Sequence, residues 1–191
     1  MTVRRLVLLG LGAVTLAGCT LVPTAKSPVI INPKIVPFGL LGKTIPGTNN
    51  GRVRFITQPV YIVDATGHLT ASSRIVPTPP TLASVLRELV IGPTDIEVST
   101  GYSSALPKDL VILQAKVKQG VGYIAIADSL STLPVRQQVL ALGQLAMTAS
   151  AVGATKGIEI TVAGVAQRSL LPDGDTATVI TASDYRSLLN G

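Results

Sequence analysis

The sequence predicts an α+β domain: a mixed or antiparallel sheet with two helices packed on one face. Three observations lead there. Short runs rich in β-branched residues alternate with two longer segments of helical period, in the order strand, strand, helix, strand, strand, helix, strand. Turn residues such as Thr66-Gly67, Gly92-Pro93 and Gln119-Gly120 separate those runs. Hydrophobic residues make up 47% of the chain, but aromatics only 3% and tryptophan none, so the core is aliphatic.

The elements follow in order. Val53-Arg54-Phe55-Ile56 and Val60-Tyr61-Ile62-Val63 flank Pro59 and have strand composition. Thr66-Gly67 turns the chain, and Leu69 to Val76 returns as the hairpin partner. Thr78-Pro79-Pro80-Thr81 opens a helix over 81–91, with either threonine as N-cap. Leu82, Val85, Leu86 and Leu89 make its apolar face, and Gly92-Pro93 stops it. Leu110 to Lys118 and Val121 to Ala127 form a second hairpin about Gln119-Gly120, expected at the centre of the sheet. Ser131-Thr132-Leu133-Pro134 opens a second helix reaching about Ala151. Val135, Val139, Leu142 and Ala146 form its face, while Gln137, Gln138 and Gln144 flank or oppose it. Ile158 to Ala163 is a further strand of period two, Pro172-Asp173-Gly174 a turn, and Asp184 to Leu189 a short terminal helix.

Ahead of this domain the chain is organised around Leu16-Ala17-Gly18-Cys19. Arg4 and Arg5, an apolar run from Leu6 to Thr15 and small residues at 17–18 have the layout of a secretory signal peptide over 1–18. The apolar run is shorter than the ~20 residues that span a bilayer. The last four residues resemble the bacterial lipobox. That resemblance implies a diacylglyceryl group on Cys19 and cleavage before it. The alternative is a lone buried cysteine acting as a small hydrophobe. No second cysteine exists to form an intramolecular disulfide. Residues 19–51 then read as a Pro/Gly-rich tether with apolar patches at Val29-Ile30-Ile31 and Ile35 to Leu41. Those patches pack on the domain, or contact lipid or a partner. The expected address is the extracytoplasmic face of the cell membrane, through two acyl chains.

Charge divides the chain in the same place. Between Thr20 and Val63 stand Lys26, Lys34, Lys43, Arg52 and Arg54, with no acidic residue. From Asp64 onward nine lysines and arginines face ten aspartates and glutamates. A nearly neutral folded part does not suit a nucleic-acid binder.

Chemistry-bearing constellations are scarce. His68 is the single histidine and sits beside a turn, with no partner for a zinc site and no Gly-x-Ser-x-Gly elbow. The carboxylates Asp64, Glu88, Asp95, Glu97, Asp109, Asp128, Glu159, Asp173, Asp175 and Asp184 lack the spacing of an acid–base pair. Asp173-Gly174-Asp175 lacks the ligand series of a calcium loop and reads as a turn. Asp128-Ser129 suits a turn or a helix cap. Gly10-Leu11-Gly12 lies within the leader and bears on no nucleotide. No catalytic, cofactor or metal residue is assigned.

With the elements placed, residues 52–191 resemble a GerMN domain. The likeness rests on Val60 to Asp64, Gly67, Leu69, Arg74-Ile75-Val76, Leu86 with Leu89 and Gly92-Pro93, Leu106-Pro107, Tyr123 to Ser129, Gln144-Leu145, and Ile158 with Ile160, Val162 and Gly164. Lys108-Asp109 after Pro107 departs from the family's usual Ile-Pro-x-Gly-Thr type of sequence. The tail from Pro172 to Leu189 resembles the domain end of LpqB-type lipoproteins, without their long C-terminal part. The resemblance implies a non-catalytic envelope module that scaffolds or binds an envelope protein or itself. The alternative is an accessory lipoprotein holding a lipid or cell-wall fragment in an apolar cleft between helices and sheet.

Overall fold

The structure, a computed structural model, describes residues 53–189. The leader, Cys19 and the tether expected over 19–51 lie outside the described residues. β1 (Phe55–Val63) and β2 (Leu69–Pro77) pair antiparallel, with Val60 opposite Ser72 and Ile62 opposite Thr70. The two runs read around Pro59 are one strand. Backbone bonds of 2.8 Å from Asp64 to His68 and from Thr78 to Arg54 place the even-numbered residues of β1 toward β2. Pro59 has the opposite parity, so its missing N–H costs no ladder bond.

α1 (Leu82–Ile91) begins at Thr81, which forms a capping box with Ser84, and buries the apolar face expected for it. Gly92 ends it at φ 87°. A short helix that the apolar pattern does not announce follows: α2, Asp95–Ser99. β3 (Ile112–Lys118) and β4 (Val121–Ile126) form the second hairpin around Gln119 and Gly120, both at positive φ as a type I′ turn requires. α3 (Val135–Ser150) carries the chain over to β5 (Ile158–Val162), which pairs parallel with β4. β6 (Val165–Ala166) and β9 (Val179–Ile180) share the other edge of β5. β7 (Ser169–Leu170) and β8 (Thr176–Ala177) make a small separate pair. The terminal helix expected over 184–189 is a single 3-10 turn, Arg186–Leu188.

The fold is thus the expected α+β class with a mixed sheet. Two corrections concern its order. β1 and β2 keep a two-stranded sheet of their own, and the larger sheet runs β3-β4-β5-β6. The β3–β4 hairpin is therefore not central. The crossover through α3 delivers β5 to the open edge of β4, which leaves β3 outermost. Both long helices cover one face of this sheet. A methyl group added to Gly122 of β4 would lie 3.2 Å from Leu82 of α1, and Leu142 of α3 lines a small hollow together with Ile126 and Ile160.

α3 sits at the centre of the core. Every residue from Val139 to Ala149 is buried, so the helix is enclosed on all sides. One side faces the β4–β5 strands, and another faces β1. At Gly143 a Cβ would come within 2.8 Å of Leu69 Cδ1, so any larger residue would force the Leu69 side chain of β2 to shift. Tyr185 packs on the same spot, fully buried, and its hydroxyl donates to the Leu170 carbonyl at 2.7 Å. Burial raises the Tyr185 hydroxyl well above its ordinary range.

The two polar residues of this buried stretch are Gln144 and Thr148, one helical turn apart. They face the outer edge of β1, where the odd-numbered backbone groups have no strand beside them. Thr148 Oγ1 accepts from the Tyr61 N–H at 3.0 Å, and Gln144 Nε2 donates to the Tyr61 carbonyl at 2.8 Å. Gln144 Oε1 also accepts from the Ala105 N–H at 2.8 Å, and Gln137 donates to the Ala105 carbonyl at 3.0 Å. Val63 bonds Ser103 in both directions, at 2.9 and 2.7 Å. Side chains and a loop thus close an edge that a strand would otherwise cover.

Gln144→Leu keeps the volume and strands two buried backbone groups, so it should cost about 2–4 kcal/mol in urea denaturation. Thr148→Val strands one and should cost about 1–2 kcal/mol. An unchanged denaturation midpoint in either variant would show that water replaces these bonds.

Candidate interaction surface

Asp64, Thr66 and His68 lie in the β1–β2 turn and do meet. Asp64 Oδ1 accepts from the Thr66 N–H (2.8 Å), the Thr66 hydroxyl (2.7 Å) and the His68 N–H (3.0 Å). These bonds hold the Asp64 carboxyl below its ordinary range. His68 Nδ1 stands 2.9 Å from Thr66 Oγ1. A carboxylate only accepts, so the threonine proton goes to Asp64 and the network places the imidazole proton on Nδ1. The hydroxyl therefore lies between acid and base. A nucleophile triad needs the imidazole in the middle. This group locks a turn.

Glu97 of α2 makes the single ion pair among the described residues. Its carboxylate lies 2.7 Å from Arg74 Nη2 and accepts from Ser72 Oγ and from the Thr94 N–H. Arg74 also donates to the Gly92 carbonyl at 3.1 Å. This network ties the end of α1, α2 and β2 together. Partial burial pushes the Glu97 carboxyl up, but the bonds from Arg74, Ser72 and Thr94 outweigh it and hold it at about 2. The Thr94-x-x-Glu97 spacing is a capping-box signature, and it is the sequence signal that finds α2.

Other sequence candidates are structural. Asp173 accepts from the Asp175 N–H at 3.0 Å around Gly174, forming an Asx turn. Ser129 accepts from the Ser131 N–H and caps the 3-10 turn Leu130–Thr132. Among the described residues no three His, Cys, Asp or Glu side chains group to hold a metal ion, and no helix is long and apolar enough to cross a membrane.

The feature with room for a partner lies between α1 and β3. A groove of about 430 Å³ has Ala83, Arg87, Val90 and Ile91 on its helical wall and residues 110–115 on its strand wall. A second hollow of about 540 Å³ continues past Ile91 to Val98 and Pro107. Large apolar side chains stand open around them: Ile91 is 69% exposed, Leu113 65% and Val111 52%. Single exposed hydrophobes are ordinary, but a contiguous set along a groove is not.

β3 is the outermost strand of the larger sheet. In a two-residue type I′ hairpin the flanking residues Lys118 and Val121 bond each other, so parity directs Gln114, Lys116 and Lys118 toward β4. The backbone groups of Ala115 and Val117 then point outward. A bulge at Leu113 interrupts the pairing. Lysines gather at this end of the sheet. Lys116 and Lys118 lie on β3, and the Lys156 N–H donates to Gly120 in the hairpin turn at 2.8 Å. The nearly neutral sum of the domain conceals this local bias, which only the topology brings together.

The family described as Germane, sporulation and spore germination, matches residues 59–168. Among solved structures, the tandem GerMN domains of the sporulation protein GerM from Bacillus subtilis superpose with a TM-score of 0.53 at 14% identity, covering 69% of this chain and 48% of that one. The chain thus spans about half of that structure's length. The first GerMN domain of the same protein gives a TM-score of 0.51 at 13% identity, covering 67% of this chain and 98% of that domain. At such identities the likeness is one of fold. No curated protein matches this chain.

Glu97 supports a pH prediction. Its folded carboxyl is depressed from 4.5 to about 2, so its stabilisation is complete above pH 4.5 and is lost as pH falls toward 2. Solvent screening leaves this worth about 1 kcal/mol. The stability gap between the wild type and Glu97→Gln, measured by urea denaturation, should close across that window. A gap independent of pH would remove the ion pair as its cause.

Proposed function

The chain belongs to the Germane family, and from that premise we propose that it is a lipid-anchored envelope lipoprotein whose folded domain is a non-catalytic protein-interaction module. The observation that carries the module is the outer edge of β3 beside the α1 groove. Free backbone donors and acceptors next to exposed apolar side chains suit an added strand from a partner. The Asp64-Thr66-His68 arrangement supports no nucleophilic or acid–base role. Leu16-Ala17-Gly18-Cys19 supports the anchor. Diacylglyceryl on Cys19 would hold the domain at the extracytoplasmic face of the cell membrane.

A second reading draws on the same groove, whose volume falls within the range of small-molecule sites. A lipid or cell-wall fragment would fill it without using the backbone edge, and that difference separates the two readings.

Two measurements test these assignments. Cys19→Ser should release the protein from the membrane fraction of fractionated cells; full retention would refute the lipid anchor. Crosslinking of the anchored protein in native membranes, followed by mass spectrometry, should recover an envelope protein through peptides of β3 or α1. Recovery of lipid or glycan on the purified protein, with no protein crosslink, would move the assignment to the carrier.

A further inference from the structure

Given the reading of β3 as a docking edge, we infer that its occupant is an extended segment of a partner protein that alternates acidic and apolar residues, and not a second copy of this chain. Charge complementarity carries the inference. Parity divides the side chains of β3 between the two faces of the sheet. Ala115 and Val117 share the helix-covered face with Ile124 and Gly122, their partners on β4. Gln114, Lys116 and Lys118 lie on the opposite face. A strand added alongside β3 presents its own residues alternately to these two environments.

On the helix side it meets the wall of α1. Ala83, Arg87 and Ile91 stand four residues apart on that wall, and all three are exposed. This arrangement takes apolar side chains at both ends and one carboxylate opposite Arg87. On the other side the incoming strand runs beside Lys116 and Lys118. No ion pair among the described residues engages these lysines or Arg87. Carboxylates at alternate positions would satisfy them as cross-strand pairs.

The same lysines argue against self-pairing. An antiparallel register in which Ala115 of one copy faces Val117 of the other uses both outward backbone positions. It also sets Lys116 directly opposite Lys116 of the second copy. Like charges directly opposite are destabilising, and edge lysines are a recognised guard against sheet-to-sheet association.

The test uses the full chain purified in detergent and two blocked ten-residue peptides, one of alternating valine and glutamate and one of alternating valine and lysine. Binding is read by fluorescence anisotropy and self-association by sedimentation. Val117→Pro removes an outward N–H while leaving the β3–β4 ladder, and Lys116→Glu/Lys118→Glu reverses the charge; thermal melts confirm that both variants fold. The acidic peptide should bind the wild type and lose roughly tenfold or more in affinity in each variant. Equal binding of the basic peptide overturns the charge argument. Self-association that Val117→Pro abolishes, without peptide binding, overturns the occupant but keeps the docking edge. If Val117→Pro alters neither peptide binding nor self-association, both the occupant and the docking edge are overturned.

Discussion

The structure depends on how the outer edge of β1 is satisfied. The hairpin it forms with β2 has only two strands, and half of the β1 backbone therefore faces away from any sheet. Buried backbone polar groups must find partners. Gln144 and Thr148 supply them from a buried helical stretch, Val139–Ala149, that is otherwise apolar, at a spacing that aligns both with Tyr61. The bond from Ala105 to Gln144 fixes the following loop at the same point. One helical turn thus holds the hairpin, the helix and the loop in a single register, and the surrounding aliphatic core can close around it. A satisfied polar group inside an apolar core also penalises alternative packings, because a shifted helix would leave these groups unpaired.

Much of this fold was legible in the sequence because local chemistry determines it. The α1 boundaries, its buried face, the Gln119-Gly120 hairpin and the β5 strand follow from caps, turns and period. What escaped was non-local. Gln144 reads as a residue flanking or opposing an apolar face, because a pattern assumes one buried side, and α3 is buried on every side. The outer position of β3 depends on where the α3 crossover returns the chain, which the composition of β3 does not encode. Tyr185 gives a weak local signal, yet it is among the largest fully buried side chains. The candidate surface was legible only as a general capacity to bind an envelope protein, since its two walls lie about 25 residues apart in the chain.

On the proposed reading, the working residues are those of a surface and not of a catalytic centre. Ionisable groups in the domain serve local geometry: Asp64 shapes a turn, and Glu97 and Arg74 tie helices to a hairpin. What distinguishes the β3 side is the reverse condition, a set of apolar side chains and cations that the domain itself does not use. Within the β3–β4 hairpin, positive φ angles are confined to the turn residues Gln119 and Gly120. On the proposed reading such a surface would bind by completing a sheet, and its specificity would lie in the alternation of the incoming segment.

The placement of Tyr185 bears on how the domain is made. Its ring packs at Gly143 in the middle of α3, and its hydroxyl reaches Leu170, while Leu189 bridges back to Leu69 of the first hairpin. These contacts join the stretch from Tyr185 to Leu189 to the first hairpin across nearly the whole intervening domain. Contacts so distant along a chain cost loop-closure entropy before they return any stabilisation. The core around α3 therefore seals late in folding, after the local hairpins and helices have formed.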